Sequence, residues 1–279
     1  MTRIRADRQF VDVLGLRTAF YRKGRGPTLV LLHGSSPGAC SELNWFRNFD
    51  ALADAGFDVF AFDQAGFGYT AAPEDHGVEF RYRHAAAVLQ QQGIQQAVLV
   101  GNSVGGLLAV LLHARQKENS LTIDRLVLAA QFPHFEIPAD VRALMQQHVA
   151  RLSGVEPTPE SIRTLTSNTL ADHRNLTDEL LQLRLEMLGQ TYEAHRARGR
   201  AGVGFDAEAV RAQPVAVPTL IFWGMDDHSL PVQIGVAAMQ HFSNAEFVFL
   251  PRCGHWPQIE HADHFNRLVA EFTHPPRNP

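Results

Sequence analysis

The side chain best placed to do chemistry is a serine hydroxyl in the pentapeptide GNSVG, residues 101–105. An apolar run precedes the pentapeptide at 97–100 and another follows at 106–112, which predicts a strand, a tight turn and a buried helix. In such a turn Ser103 stands clear of the sheet, and the flanking glycines prevent collisions between strand and helix. The helix N-terminus offers free N–H groups to a developing anion. We therefore predict that Ser103 is a nucleophile, the alternative being a serine that only caps the helix.

A serine nucleophile needs a base that removes its proton, and the base needs an acid that orients it. His255 is the candidate base because it lies in a loop just after the strand-like run 245–250. The acid is expected after the preceding strand, 219–222, where two aspartates stand side by side. We predict that Asp227 is the acid and keep Asp226 as the alternative.

Acyl chemistry also requires N–H donors for an oxyanion. The segment HGSSPG, residues 33–38, directly follows a buried strand, which is where doubly wound hydrolases place such a loop. One N–H group is expected from Gly34 or Ser35, and a second from Val104, directly after the nucleophile. The alternative is that this segment is only a glycine-rich turn.

The elements that must position these residues are strands alternating with helices. This alternation occupies the first third of the chain, including a predicted helix at 44–55, and returns after Pro218; it predicts a parallel sheet with helices on both faces. Between about 135 and 212 the sequence is helical, polar and almost free of strand patterns. We therefore predict a core domain of residues 1–134 and 213–279, with a helical lid inserted at 135–212.

Composition argues against several other functions. The chain has 279 residues and a formal net charge of −4, which gives no electrostatic reason to expect a nucleic-acid partner. No apolar run approaches the roughly 20 residues of a membrane span, and no phosphate-binding loop or metal-ligand spacing is present. Two cysteines and an N-terminus without the apolar region of a signal peptide favour the cytoplasm. We expect no metal and no membrane association.

At these residues the chain resembles the α/β-hydrolase superfamily, and in particular the meta-cleavage product hydrolases, which split a carbon–carbon bond in 2-hydroxy-6-oxo-2,4-dienoates. Four stretches carry the closer resemblance: 33–39 with Asn44 and Trp45, 101–106, 179–186, and 253–256. The resemblance implies an α/β fold with a mostly parallel, eight-stranded, twisted sheet flanked by helices and an inserted helical lid. It also favours Asp227 over Asp226, because the interval to His255 fits the family.

The resemblance further implies a carbon–carbon bond hydrolase that needs no metal or organic cofactor. Its small-molecule substrate carries a carboxylate, which we expect Arg184 to bind, while Asn102 and Trp256 donate N–H groups to the dienoate oxygens. The alternatives are an exposed helix residue for Arg184 and a buried polar residue bonded to backbone for Asn102. A homodimer is expected, because family members commonly dimerise. A carboxylesterase or lactonase on the same scaffold, or a non-catalytic ligand-binding protein of this fold, stay open as alternatives.

The sequence departs from the family pattern in three places. Ser36 stands where the family usually has glycine, and DQAG at 63–66 replaces the more usual DSPG. The stretch 166–172 lacks an aromatic residue that the family often has ahead of its arginine. Because that aromatic shapes the substrate pocket, the identity of the C6 substituent stays open.

Overall fold

A computed structural model of the chain describes residues 3–201, 204–205, 208, 210 and 215–274. Its strands form one eight-stranded sheet in the order β1-β2-β4-β3-β5-β6-β7-β8. The strands are β1 Gln9–Val13, β2 Leu16–Gly24, β3 Thr28–Leu32, β4 Asp58–Phe62, β5 Gln96–Asn102, β6 Thr122–Ala129, β7 Thr219–Gly224 and β8 Ala245–Leu250. Strand β2 is antiparallel to both of its neighbours, and all other pairs are parallel. The predicted eight-stranded, mostly parallel sheet is confirmed.

Helices cover both faces of the sheet. They are α1 Ser41–Trp45, α2 Phe49–Asp54, α3 Val78–Gln91, α4 Val104–Ala114, α5 Ala139–Ser153, α6 Pro159–Thr169, α7 Asp178–Gln190, α8 Tyr192–Ala201, α9 Val232–Ala238, α10 Pro257–Glu260 and α11 Ala262–Thr273. A short 3₁₀ turn, His173–Asn175, lies between α6 and α7. Of the helices described, none combines the length and the apolar character that crossing a bilayer requires.

The continuous helix predicted over 44–55 is wrong, because the chain forms α1 and α2 with a break between them. Asn48 lies in this break, and its amide donates to the Gln258 carbonyl at 2.9 Å and to the Asn266 side chain at 2.8 Å. These partners lie more than 200 residues further along the chain. The local apolar pattern therefore does not reveal the break.

The core consists of two layers, one on each face of the sheet. Within β3, Val30 and Leu32 join side chains of α3 and α4, whereas Leu29 and Leu31 join side chains of α2 and α11. A strand buried on both faces has no polar alternation, which is why residues 28–32 are almost entirely apolar. Truncating such a leucine to alanine typically destabilises a domain by about 2–5 kcal/mol.

Of the described helices, α5 to α8 lie in the chain between β6 and β7. Two of their close approaches to the core show how tightly they pack there. A side chain on Gly38 would overlap the Arg184 carbonyl oxygen of α7, and the Thr169 carbonyl of α6 accepts a hydrogen bond from the His255 N–H at 2.8 Å. The predicted boundary between residues 212 and 213 lies outside the described residues, so the division into core and lid stays a prediction.

Candidate active site

Ser103 occupies a strained turn between β5 and α4. Its φ of 56° and ψ of −123° are values that residues with a side chain rarely adopt. Hydrogen bonds to the end of β6 and the segment after it hold the turn: the Ser103 N–H donates to the Ala129 carbonyl at 2.9 Å, and the Ser103 carbonyl accepts from Phe132 at 3.0 Å. The turn needs glycine next to it, because a side chain on Gly105 would overlap the Leu32 carbonyl oxygen at the end of β3. The neighbouring strands thus impose the strain that presents the serine hydroxyl.

His255 and Asp227 form a buried pair beside this turn. His255 Nδ1 lies 2.8 Å from Asp227 Oδ2, and the two residues are 6% and 4% exposed. The other carboxylate oxygen accepts backbone N–H bonds from Ser229 at 2.7 Å and Leu230 at 2.9 Å. Because a carboxylate oxygen accepts, Nδ1 of His255 donates, and in this tautomer of the neutral ring Nε2 is the nitrogen free to accept a proton. Ser103 and His255 line the same cavity.

The second aspartate, Asp226, is exposed and is not bonded to His255. Its backbone N–H donates to the Cys253 carbonyl at 3.0 Å. The end of β7 passes so close to the histidine loop that a side chain on Gly224 would overlap the Gly254 carbonyl oxygen. This close approach brings Asp227, three residues after Gly224, beside the histidine. The structure thus shows that Asp227, and not Asp226, is the aspartate bonded to His255.

The loop after β3 lies against the nucleophile. A Cβ on Gly34 would lie 3.3 Å from the Ser103 Cβ, and Ser35 and Val104 line the cavity together with Ser103. Within the described chain, neither the Ser35 N–H nor the Val104 N–H donates to a protein acceptor. Two free N–H groups next to a serine oxygen are what a developing oxyanion requires.

His33 orients the peptide of this loop. Its Nε2 accepts the Gln64 N–H at 2.9 Å, so its Nδ1 carries the proton and donates to the Gly34 carbonyl at 2.6 Å. Burial lowers the pKa of His33 to about 3, which keeps the ring neutral. Because a trans peptide points its N–H opposite to its C=O, the Ser35 N–H faces away from His33. This favours Ser35 over Gly34 as the donor from the loop.

Asn102 makes contacts other than those expected from the sequence. Its amide nitrogen donates to the Ala129 carbonyl at 3.0 Å and to the His255 carbonyl at 3.2 Å, and its oxygen accepts from Asn44 at 2.9 Å. Both N–H bonds are therefore engaged, and the side chain is fully buried. These bonds tie the end of β6 to the histidine loop, and the donation from Asn102 to a dienoate oxygen stays a prediction.

Arg184 of α7 is completely buried, which excludes the exposed helix residue. It donates to the Pro37 carbonyl at 3.0 Å, to Thr166 Oγ1 at 3.1 Å and to Ser36 Oγ at 3.0 Å. A guanidinium has five N–H bonds, so two are left for a ligand. Its hydrogen-bond partners among the described residues are all neutral oxygens, and burial lowers its pKa to about 9. The charge of Arg184 therefore has no counterion among the described residues.

Ser36 and Pro37 line the cavity, whereas Arg184 and Trp256 lie behind them. The guanidinium carbon lies 5.0 Å from the Trp256 ring, which packs among the apolar side chains of α1 and α7. The Trp256 ring thus supports the guanidinium, and Trp256 is not among the described residues that line the cavity. Its donation to a dienoate oxygen stays a prediction. Ser36 lines the cavity and accepts a hydrogen bond from Arg184, so it lies between the guanidinium and the cavity. In the sequence, Ser36 is noticeable only as a departure from the glycine usual in the family.

The cavity has a volume of about 590 Å³, within the range of small-molecule sites. Helices α5, α6 and α8 contribute Met145, His148, Val149, Leu165, Thr169, His195 and Arg198 to its lining. Burial and the nearby His255 lower the pKa of His148 to about 4, so this imidazole is neutral at neutral pH. Across the described residues, no cluster of three or more His, Cys, Asp or Glu side chains is arranged to hold a metal ion.

Comparison with known proteins places this geometry in a family. The alpha/beta hydrolase fold family matches residues 27–262. This chain belongs to the α/β-hydrolase family. It is 34% identical over 272 residues to the 2-hydroxy-6-oxononadienedioate/2-hydroxy-6-oxononatrienedioate hydrolase of Burkholderia vietnamiensis, covering 94% of this chain and 92% of that protein. It is 30% identical to the 2-hydroxy-6-oxo-6-phenylhexa-2,4-dienoate hydrolase of Comamonas testosteroni, covering 89% and 88%.

A solved structure of the meta-cleavage product hydrolase from Pseudomonas fluorescens IP01, a serine-to-alanine variant complexed with acetates, has a similar fold. The TM-score is 0.80 at 30% identity, covering 95% of this chain and 96% of that chain. The resemblance inferred from the motifs is therefore confirmed. This α/β-hydrolase is an enzyme of the meta-cleavage product hydrolase type.

Proposed function

We propose that this enzyme hydrolyses the C5–C6 bond of a 2-hydroxy-6-oxo-hexa-2,4-dienoate, releasing 2-hydroxypenta-2,4-dienoate and a carboxylic acid. One observation carries the proposal: the buried Arg184 has no carboxylate partner among the described residues and reaches the cavity edge through Ser36. A buried charge without a counterion is unfavourable, and the substrate carboxylate supplies that counterion. A simple ester has no such group, which favours this function over a carboxylesterase or lactonase.

The reaction begins when the dienol passes to its keto form, moving a proton from the 2-hydroxyl oxygen to C5. His255 then takes the proton of Ser103, whose oxygen attacks the C6 carbonyl. The N–H groups of Ser35 and Val104 stabilise the oxyanion, with Gly34 supplying the space beside the serine. As the oxyanion collapses, the C5–C6 bond breaks and its electron pair enters the conjugated 2-oxo-3-ene. The resulting enolate takes the proton from His255, which leaves the ring neutral for the next step, and departs as the hydroxydienoate.

An acyl group remains on Ser103 after this step. Water attacks its carbonyl while His255 accepts the proton of the water, and the same N–H groups stabilise the second oxyanion. Asp227 keeps the His255 ring in the tautomer and orientation that both steps need. The carboxylic acid then leaves and the free serine is restored.

The yellow dienoates provide the test. We expect the wild-type enzyme to bleach a 6-alkyl or 6-phenyl dienoate, and Ser103→Ala to abolish cleavage. Fast hydrolysis of p-nitrophenyl esters without bleaching would contradict the proposal and favour a carboxylesterase. A folded protein that turns over neither class would favour a non-catalytic ligand-binding role.

We also propose that residues 135–212 act as a lid, because their helices supply part of the cavity lining while the core supplies Ser103 and His255.

Cys40 and Cys253 are both free and buried, which supports a cytoplasmic location. The resemblance to family members supports a homodimer, which light scattering of the purified protein tests. The relatives include enzymes named for a dienedioate and for a 6-phenyl dienoate, so side chains of this cavity must select the C6 substituent.

A further inference from the structure

Two arginines border the cavity that holds Ser103. Arg81 comes from α3 and Arg198 from α8, and we call them the arginine pair. Both contact the Phe67 ring: the guanidinium carbon of Arg198 lies 3.7 Å from its centroid and that of Arg81 lies 5.4 Å away. Two positive charges from distant parts of the chain thus meet on one aromatic ring at the cavity.

The arginine pair has only neutral hydrogen-bond partners in the described chain. Arg198 donates to the Gly66 carbonyl at 2.6 Å, and Arg81 donates to the Gln64 side-chain oxygen at 3.3 Å. Arg81 Nε and Arg198 Nη2 are buried and have no hydrogen-bond partner. Burial lowers the pKa of Arg81 to about 10, and burial together with the charge of Arg81 lowers that of Arg198 to about 9.

Two histidines complete the group. His76 and His195 line the cavity, and His76 Nδ1 and His195 Nε2 are also buried without a hydrogen-bond partner. Burial lowers the pKa of both rings, that of His195 to about 4, so they are neutral and add no charge to that of the arginine pair. The unpaired N–H groups of Arg81 and Arg198 are therefore the donors suited to an anion rich in acceptor oxygens.

We propose that the arginine pair binds a second carboxylate, carried by the C6 substituent, so that the preferred substrate is a dicarboxylate. The inference rests on the proposed function, in which Arg184 pairs with the first carboxylate. One cavity of about 590 Å³ contains Ser103, His255 and the arginine pair, so a single ligand can span them. A neutral substituent would leave two like charges, one buried and one half-buried, without a counterion among the described residues, which is unfavourable.

The test compares two substrates of equal length, a dienoate whose C6 substituent is 2-carboxyethyl and one whose substituent is propyl. The wild-type enzyme should favour the carboxyethyl substrate in kcat/KM by about 10- to 100-fold. Arg198→Gln and Arg81→Gln should each remove most of this preference while changing the propyl substrate by less than about threefold. Arg200→Gln, an exposed position on the same helix, is the matched control and should change neither value. Arg198 is only half-buried, so its variant keeps the test valid if Arg81→Gln fails to fold.

Equal losses on both substrates would overturn the inference, because the pair would then act on the shared part of the substrate or on the fold. A wild-type enzyme without preference for the carboxyethyl substrate would also overturn it. Failure to bleach either substrate would instead contradict the proposed function. In that case succinate binding tests the carboxylate site by itself. Thermal stabilisation by succinate, weaker with acetate and absent in Arg198→Gln, supports the carboxylate site; no stabilisation of the wild-type protein contradicts it.

Discussion

Asp227→Asn tests how the acid orients the base. The Asp227 Oδ1 accepts N–H bonds from Ser229 and Leu230, so an asparagine must keep its oxygen on that side. Its NH₂ group then faces His255 Nδ1, which has to accept instead of donate. The imidazole proton moves to Nε2, the nitrogen that should take the Ser103 proton. The base is therefore blocked by the wrong tautomer, while the shape of the site is preserved.

We expect kcat to fall by about 10⁴-fold, the order seen for this change in other serine triads. That factor corresponds to about 5 kcal/mol of transition-state stabilisation. The assay is the rate at which a yellow dienoate bleaches, measured with saturating substrate so that kcat and KM separate. KM should change little, because Asp227 lies behind the histidine and away from the cavity lining.

Asp226→Asn is the matched control, since it makes the same chemical change one residue away on an exposed side chain. It should keep kcat within about threefold of the wild-type value, because surface substitutions of this kind have small effects. A loss of less than tenfold in Asp227→Asn, with the variant folded by thermal unfolding, would refute the tautomer argument. An equal loss in both variants would refute the assignment of the acid.

Three further variants test other parts of the molecule. Arg184→Gln should lower kcat/KM for dienoates by about 100-fold and leave p-nitrophenyl acetate hydrolysis nearly unchanged, whereas equal losses in the two assays would show a structural role. Gly105→Ala should destabilise the protein by at least about 2 kcal/mol in urea unfolding, because its Cβ would overlap a backbone oxygen; Gly189→Ala, in an open helical position, should be neutral or stabilising. Burial lowers the pKa of His84 to about 4, below the value of about 6.5 in an unfolded chain, so the folded state binds fewer protons and loses stability as pH falls from about 6.5 to about 4. His84→Asn should reduce that pH dependence of the unfolding free energy by roughly 2–3 kcal/mol, and an unchanged dependence would contradict the cause.

The nucleophile turn shows what local sequence predicts well. An apolar run, a glycine-flanked serine and a second apolar run define the strand, the turn and the helix within 16 residues, 97–112. The φ of Ser103 lies in the strained range that such a turn requires. His255 was found in the same way, from its place in a loop after a strand. These features depend on residues that are adjacent in the sequence, so the sequence alone predicts them.

Asn102 and Asn48 show where local patterns fail. The amide of Asn102 is bonded to residues 27 and 153 positions away, so nothing near it in the sequence marks it as already engaged. Asn48 interrupts an apparently continuous helix through partners 210 and 218 positions away. A hydrogen-bonding side chain takes whichever partner the fold brings to it, and its type alone does not identify that partner.

The sequence by itself determined the α/β alternation, the serine and histidine, and the family, because each is written in periodicity or in short motifs. Only the tertiary structure decided which aspartate meets the histidine, since that depends on how closely β7 crosses the histidine loop. It also decided that Arg184 is buried against Ser36 and that Arg81 and Arg198 meet on Phe67. Whether a charge is solvated or left without a counterion depends on what surrounds it in space, and packing of distant segments sets those surroundings.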